Sequence, residues 1–335
     1  MTIATLEVQH LQTEFVSRAG TVTAVNNVSF SVQPGQIMGL VGESGSGKSM
    51  TAYSIMGLID PPGKVTAGKV LFKGQDLRGL SAEAMRQIRG NRIAMIFQDP
   101  MMTLNPVLRV DTQMMETISA HQQVSREKAR EMARAALVKV GIPSPDERLL
   151  AYPHQFSGGM RQRVAIAIAL LNAPELIICD EPTTALDVTI QGQILYEMQK
   201  LCKESGTALI WITHDLSVVA GLADTVSVMY AGKIVESGSV SQVLEQPLHP
   251  YTHGLIASSP SRNQHGQTLR QIPGATPSLL NLPSGCAFRN RCERATTACE
   301  QVPPAQHIDG RSLLCFHPMN PMNTTDSVTV GVVHV

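Results

Sequence analysis

Four short apolar runs punctuate the first two thirds of the chain, and each stops abruptly at polar residues. QIMGLV at 36–41 follows a Pro34-Gly35 turn and predicts a buried strand. A glycine–serine stretch comes next, then a helical pattern through TAYSIMGL. RIAMIFQ at 92–98, LIICDE at 176–181 and ALIWITH at 208–214 predict three further strands. Between RIAMIFQ and LIICDE lies a helix-rich stretch, roughly Val110 to Leu150, with EKAREMARAALVKVG as its clearest amphipathic segment. From about Pro247 prolines become frequent, periodicity fades and cysteines appear, which predicts a second, small unit and a tail after about Pro321 without regular structure. No internal repeat is evident. Strands alternating with helices predict a mostly parallel sheet covered on both faces, with ligands at the carboxyl ends of the strands.

Composition narrows the classes. At 335 residues the chain is long enough for a full-sized core. Lys+Arg and Asp+Glu are both 27, so no net charge points to nucleic acid or a membrane surface. VAIAIALL at 164–171 is far shorter than the roughly 18 apolar residues that span a bilayer. The start, MTIATLEVQH, has no basic segment followed by an apolar stretch, so no secretory signal is expected. The expected compartment is the cytoplasm, where disulfides are rare, and any membrane role falls to partners.

The chemistry sits at the strand ends. Gly42, Glu43, Ser44, Gly45, Ser46, Gly47, Lys48 and Ser49 match G-x-x-x-x-G-K-[ST], between a predicted strand and a predicted helix that continues through Met50. Glycines let backbone N–H groups curl around phosphate oxygens, and the helix start presents its positive end to the same anion. Lys48 is placed to reach the β- and γ-phosphates and the Ser49 hydroxyl to hold Mg²⁺, so the chain is expected to bind a nucleoside triphosphate. Asp180 suits a partner of Mg²⁺ and Glu181 a base for an attacking water; Gln98 and His214 end the other two strands. In FSGGMRQRVAIAIAL at 156–170, Ser157, Gly158 and Gly159 sit at a predicted helix start, a second anion site in the same chain.

In order and spacing, these motifs and the Thr184-Ala185-Leu186-Asp187 loop resemble an ATP-binding cassette (ABC) ATPase over about residues 5–245. Met160 departs from the glutamine that many members carry there, without altering the N–H donors. The resemblance implies an α/β fold: a P-loop cassette with a mostly parallel sheet, an antiparallel β part and an inserted helical subdomain, followed by a small cysteine-containing C-terminal domain. The implied boundaries are 1–246 for the cassette, with the helical part at about 100–157, then 247–320, then a disordered tail at 321–335. It also implies a head-to-tail dimer in which ATP on one phosphate loop is covered by the partner's signature helix. In that setting Glu181 is the general base, Gln98 contacts Mg²⁺ and the attacking water, His214 contacts the γ-phosphate, Asp187 belongs to the nucleotide site, and Ser49, Gln98 and Asp180 serve Mg²⁺. Phe15 is the candidate for stacking on adenine, with a packing role for the same ring left open.

DPMMTLNP after Gln98, EQPLHPYTHGL at 245–255 and IPGATPSLLNLPSGCAFRNRC resemble the oligopeptide, dipeptide and nickel importer branch, nearest to its dipeptide members, up to about residue 318. Cys286, Cys292, Cys299 and Cys315 are spaced C-x5-C-x6-C-x15-C, which leaves iron–sulfur, zinc and unliganded thiols open. The resemblance to dipeptide-importer ATPases favours a [4Fe–4S] cluster, with Arg289, Arg291 and Arg294 offsetting its charge and His307 and His317 as substitute ligands. Cys179 and Cys202 read as packing residues. The implied partners are a homologous second ATP-binding subunit, a heterodimer being favoured, two transmembrane permease subunits and an extracytoplasmic peptide-binding protein, with no nucleic acid. The implied place is the cytoplasmic face of the inner membrane. The function expected is ATP hydrolysis coupled to import of di- or oligopeptides; the alternatives are nickel or haem-type cargo, or a cassette acting on nucleic acid or ribosomes.

Overall fold

In the computed structural model, which describes residues 3–183, 186–259 and 271–319, the apolar runs become adjacent strands of one sheet. The chain opens with β1 (Leu6–Ser17), β2 (Gly20–Val32), β3 (Ile37–Val41) and α1 (Lys48–Met56). Next come β4 (Gly63–Phe72), β5 (Gln75–Asp76), α2 (Ala82–Ile88) and β6 (Ile93–Ile96). The helical stretch holds α3 (Val110–Ser119), α4 (Arg126–Lys139), α5 (Pro145–Leu149) and α6 (Gly158–Leu170). There follow β7 (Leu176–Asp180), α7 (Val188–Ser205), β8 (Ala208–Thr213), α8 (Leu216–Leu222), β9 (Thr225–Tyr230), β10 (Lys233–Ser239), α9 (Val240–Glu245), α10 (Pro250–Ala257), β11 (Ala305–Ile308) and β12 (Arg311–Leu314).

Among the described residues, one sheet has the order β11-β12-β10-β9-β3-β8-β7-β6. β9, β3, β8, β7 and β6 run parallel, while β10, β12 and β11 are antiparallel additions. Every residue of β3, β6, β7 and β8 is buried, as an apolar strand with helices or a second sheet on both faces requires. Period two separates the faces. Leu209 and Trp211 join Ile177 and Cys179 in the cluster made with the helical stretch, whereas Ala208, Ile210 and Ile212 join Leu176 and Ile178 in the cluster beneath the antiparallel sheet. On the helical side Ala129, Ala133 and Leu137 of α4 and Ile194, Met198 and Cys202 of α7 each recur every four residues and are buried. Cys179 and Cys202 are packing residues here, 0% and 2% exposed.

The second sheet, β2-β1-β4-β5, is antiparallel and packs α1 against its inner face. Register shifts between Val8 and Glu14 interrupt its alternation.

The segment after the cassette is tied to the main sheet. β12 pairs with β10 through Glu236↔Leu313 and Ser237↔Ser312. The fully buried Glu236 carboxylate accepts the N–H groups of Leu248 and His249 at 2.8 and 2.9 Å. His249 is also buried, and its Nδ1 accepts the Tyr251 N–H at 3.0 Å, which fixes the neutral ring with its proton on Nε2. Burial pushes His249 down to about 4. The unfolded chain therefore takes up a proton below about pH 6.5 that the folded chain refuses. Stability is full above that pH and falls as pH drops towards 4, by about 1.4 kcal/mol per pH unit and roughly 3 kcal/mol in all. Glu236, raised by burial, works in the opposite sense in the acid range. Urea titrations between pH 7 and 4 are expected to show this slope, flattened in His249→Phe; equal slopes would remove His249 as its source.

Candidate nucleotide site

Register brings the strand ends together. Val41 lies opposite Thr213, Ile212 opposite Asp180, and Cys179 opposite Ile96, so the residues that follow these strands leave the sheet at one edge. Glu181 and His214 come directly after β7 and β8, and Gln98 two residues after β6, because polar groups at the end of a buried strand turn out towards water.

The phosphate loop runs from Gly42 into α1. Gly42 has φ +155° and a Cβ there would lie 2.2 Å from the Met229 carbonyl oxygen; Gly47 has φ +104° and its Cβ would lie 2.3 Å from the Ala24 carbonyl oxygen. Only glycine fits either place. A Cβ on Gly45 would meet nothing within 4 Å, so the inside of the curve is open, and Ser46 Oγ is buried without a hydrogen-bond partner among the described residues. An open curve with an orphaned hydroxyl and a helix start beneath it fits a phosphate group. Lys48 Nζ donates to the carbonyls of Gly42 and Glu43 at 2.8 and 3.0 Å. Burial lowers its pKa, opposed by the charges of Glu181, Asp180 and Glu43.

The Ser49 hydroxyl donates to Asp180 Oδ1 at 3.0 Å, and burial raises Asp180. A hydroxyl and a buried carboxylate beside the loop form a donor pair suited to Mg²⁺. Glu181 is fixed by its own N–H to Ile212 O at 3.0 Å and has the left-handed φ of +47°. Its carboxylate takes Gln98 Nε2 at 3.2 Å on one oxygen and faces His214 Nδ1 at 3.2 Å on the other. Ser49, Gln98, Asp180, Glu181 and His214 thus form two bonded groups beside Lys48.

The signature residues open α6. Ser157 caps α6, accepting the Met160 N–H at 3.3 Å, and Gly158 opens the helix with nothing near its Cβ position. Ser157 and Gly158 are exposed and Gly159 half-buried. An exposed helix start with unencumbered N–H groups is open to an anion brought by another molecule. Asp187 caps α7 by accepting the Ile190 N–H at 3.0 Å, while Thr184 and Ala185 of the same loop lie outside the described residues. Met50 packs against the core beneath the antiparallel sheet, Ser44 is exposed, and Phe15 is half-buried with its ring against Gly63 and near Ile59.

The expectation of a [4Fe–4S] cluster on Cys286, Cys292, Cys299 and Cys315 is overturned. Among the described residues no group of three or more His, Cys, Asp or Glu side chains is arranged to hold a metal ion. The four cysteines do line one cavity, but its volume is about 10 Å³, at the lower limit for a single water. Burial raises the thiols of Cys286 and Cys292 and pushes Cys315 up to about 11. The residues present do not fit the cluster. Nor do the substitute ligands join in: His317 Nε2 pairs with Thr296 Oγ1 at 2.7 Å and His307 Nδ1 with Ser312 Oγ at 3.2 Å.

Reading by local pattern missed what lies behind the phosphate loop. Arg291, expected to offset the charge of a cluster, instead donates two hydrogen bonds to the Glu43 carboxylate, and Tyr251 Oη accepts the Glu43 N–H at 2.9 Å. A carboxylate inside an anion-binding loop was the available signal, since such a charge calls for a counter-charge.

Residues 25–184 match the ABC transporter family and residues 235–299 match the oligopeptide/dipeptide transporter C-terminal region. The chain is 49% identical to the dipeptide transport ATP-binding protein DppD of Bacillus subtilis, over 93% of this chain and 94% of that one. It is 47% identical to the oligopeptide transport ATP-binding protein OppD of Escherichia coli, over 94% of each. Those names describe ATP binding and transport alone. Among solved structures, the dimeric structure of MJ0796, a bacterial ABC transporter cassette, superposes with a TM-score of 0.65 at 27% identity, covering 70% of this chain and 98% of that one. A post-hydrolysis dimer of the same cassette bound to ADP and Pi gives the same values.

Proposed function

The chain belongs to the ATP-binding subunits of the oligopeptide and dipeptide ABC importers, and from that premise we propose how its residues carry out ATP hydrolysis coupled to peptide import. It is an ABC ATPase of a peptide transporter; nickel or haem-type cargo and action on nucleic acid are not favoured by relatives named for dipeptide and oligopeptide transport.

The backbone N–H groups of Gly45, Gly47 and Lys48 bind the phosphates, and the Lys48 ammonium leaves the loop carbonyls for the β- and γ-phosphate oxygens. Ser49 and Gln98 would hold Mg²⁺ directly and Asp180 through its bond to Ser49; when bound, the ion neutralises charge on the phosphate oxygens. Glu181 takes the proton from a water in line with the γ-phosphate, with Gln98 and His214 holding its carboxylate from both sides. The observation that carries this reading is the bonded row Gln98–Glu181–His214 at the same sheet edge as Lys48 and the Ser49–Asp180 pair. Ser157 and Gly158, both exposed, and the half-buried Gly159 serve the nucleotide of a second cassette in a head-to-tail dimer. Asp187 borders the same interface, and Phe15 stacks on adenine.

We divide the chain into a cassette at 1–246, with its helical part at about 100–157, and a C-terminal unit at 247–320; the two family matches, 25–184 and 235–299, favour two units, although the second begins within the cassette so bounded. The tail at 321–335 lies outside the described residues. The partners we propose are a second, homologous ATP-binding subunit, two permease subunits and an extracytoplasmic peptide-binding protein. No helix among the described residues is long and apolar enough to cross a membrane, so attachment to the cytoplasmic face of the inner membrane falls to the permeases.

Cells lacking this chain are expected to lose ATP-dependent uptake of labelled dipeptides, restored by the wild type and not by Lys48→Ala. Uptake that persists without the chain would overturn the assignment.

A further inference from the structure

Glu43, the second residue of the phosphate loop, is gripped from both sides. Towards the site, its carbonyl accepts from Lys48 Nζ at 3.0 Å. Away from it, Arg291 Nη1 donates to Glu43 Oε2 at 2.7 Å and Arg291 Nη2 to Oε1 at 2.9 Å. The Thr276 hydroxyl donates to Oε2 at 2.8 Å, and Tyr251 Oη accepts the Glu43 N–H at 2.9 Å. The three gripping residues follow Glu43 by 208, 233 and 248 positions, and all belong to the chain beyond the cassette.

The grip is itself held. Arg291 is 7% exposed, its Nε donates to Pro273 O at 2.9 Å, and its guanidinium lies 5.9 and 5.8 Å from the ring centres of Tyr230 and Phe288. Tyr230, Tyr251 and Phe288 pack on one another with centres 4.5 to 5.4 Å apart. A two-pronged guanidinium–carboxylate pair fixes orientation as well as distance, which a lysine does not.

Charge makes the arrangement matter to the nucleotide. A free carboxylate in the loop would repel a triphosphate, and the Arg291 fork, which holds Glu43 ionised below the usual carboxylate range, also cancels its charge. The bond to Tyr251 anchors the main chain where glycines alone would leave it free.

We propose that Arg291, Thr276 and Tyr251 are positioning residues of the nucleotide site, which hold the phosphate loop through Glu43 and cancel its charge, so that the C-terminal segment sets the affinity for ATP. This rests on the reading of residues 42–49 as the ATP site. In the full chain within the assembled importer, Arg291→Met is expected to raise the KM for ATP about tenfold with kcat within about twofold, the size of one charge-assisted pair. Arg291→Lys, which keeps the charge and loses the fork, falls between. Glu43→Gln combined with Arg291→Met returns KM to within about threefold of the wild type, because the unopposed charge has gone. A purely structural tie would lower the melting temperature and kcat in proportion to folded protein, leave KM unchanged and give no rescue; that pattern overturns the proposal. Should Arg291→Met fail to fold, Tyr251→Phe and Thr276→Ala, each removing one bond to Glu43, carry the test: about threefold rises in KM support it, and unchanged KM in both overturns it. A wild-type chain that binds a fluorescent ATP analogue no better than Lys48→Ala would instead sink the underlying site assignment.

Discussion

Glu181→Gln is expected to cut ATP turnover in the assembled importer about a thousandfold while ATP affinity stays within a few-fold of the wild type. Glutamine has the shape of glutamate and can still bond to Gln98 and His214, so the row that frames the water position survives. The main chain is untouched as well, since the Glu181 N–H bond to Ile212 O and the left-handed φ do not depend on the side chain's charge. What disappears is the only change that matters for proton removal: an amide cannot take the proton. A thousandfold corresponds to about 4 kcal/mol of barrier, within the range for removing a positioned general base. Single-turnover release of γ-phosphate, measured beside equilibrium binding of a fluorescent ATP analogue, separates the two effects. Turnover above a tenth of the wild-type rate would take the base role away from Glu181.

Gly47→Ala is expected to abolish ATP binding, with affinity down at least about a hundredfold, and to cost about 2–4 kcal/mol of stability. The new Cβ would lie 2.3 Å from the Ala24 carbonyl oxygen, which belongs to β2 and cannot yield alone, and 2.8 Å from Met229 Cε. The backbone would also have to leave φ +104°. Gly47 O accepts both the N–H and the hydroxyl of Thr51, each at 2.9 Å, so moving it drags the first turn of α1 together with Lys48 and Ser49. Gly45→Ala is the matched control. It is a control for stability, since its Cβ meets nothing within 4 Å of the chain and leaves only the strain of φ +75°, about 1 kcal/mol, although it enters the room assigned to phosphate. Urea unfolding of both variants gives the comparison of stability, and nucleotide titration of Gly47→Ala gives the affinity; Gly47→Ala binding ATP within tenfold of the wild type would refute the steric account.

The central strands were legible because burial on both faces makes a strand a continuous apolar run. IMGLV, LIICD and ALIWIT need no partner to be read, and the structure moves their ends by a residue or so. The meeting of Gln98, Glu181 and His214 was legible for a related reason: parallel strands in register put consecutive polar termini side by side. The antiparallel sheet was hidden from its pattern, since register shifts in β1 break the alternation between Val8 and Glu14. β11 and β12 are four residues each, too short to show a period. The gathering of four cysteines around one cavity agrees with their proximity in sequence, but spacing carries no information on the room left between thiols, and that room excludes the cluster expected there. The Glu43 grip lay beyond any window, because its partners are more than 200 positions away.

That distance has a consequence for how each copy comes into being. Glu43 leaves the ribosome 248 residues ahead of Arg291, so at about 5–20 residues per second the loop waits roughly 10–50 s for its counter-charge. Throughout that wait the growing polypeptide carries a phosphate loop whose carboxylate has no counter-charge. Translation cut short before Arg291 leaves that charge unanswered for the life of the fragment.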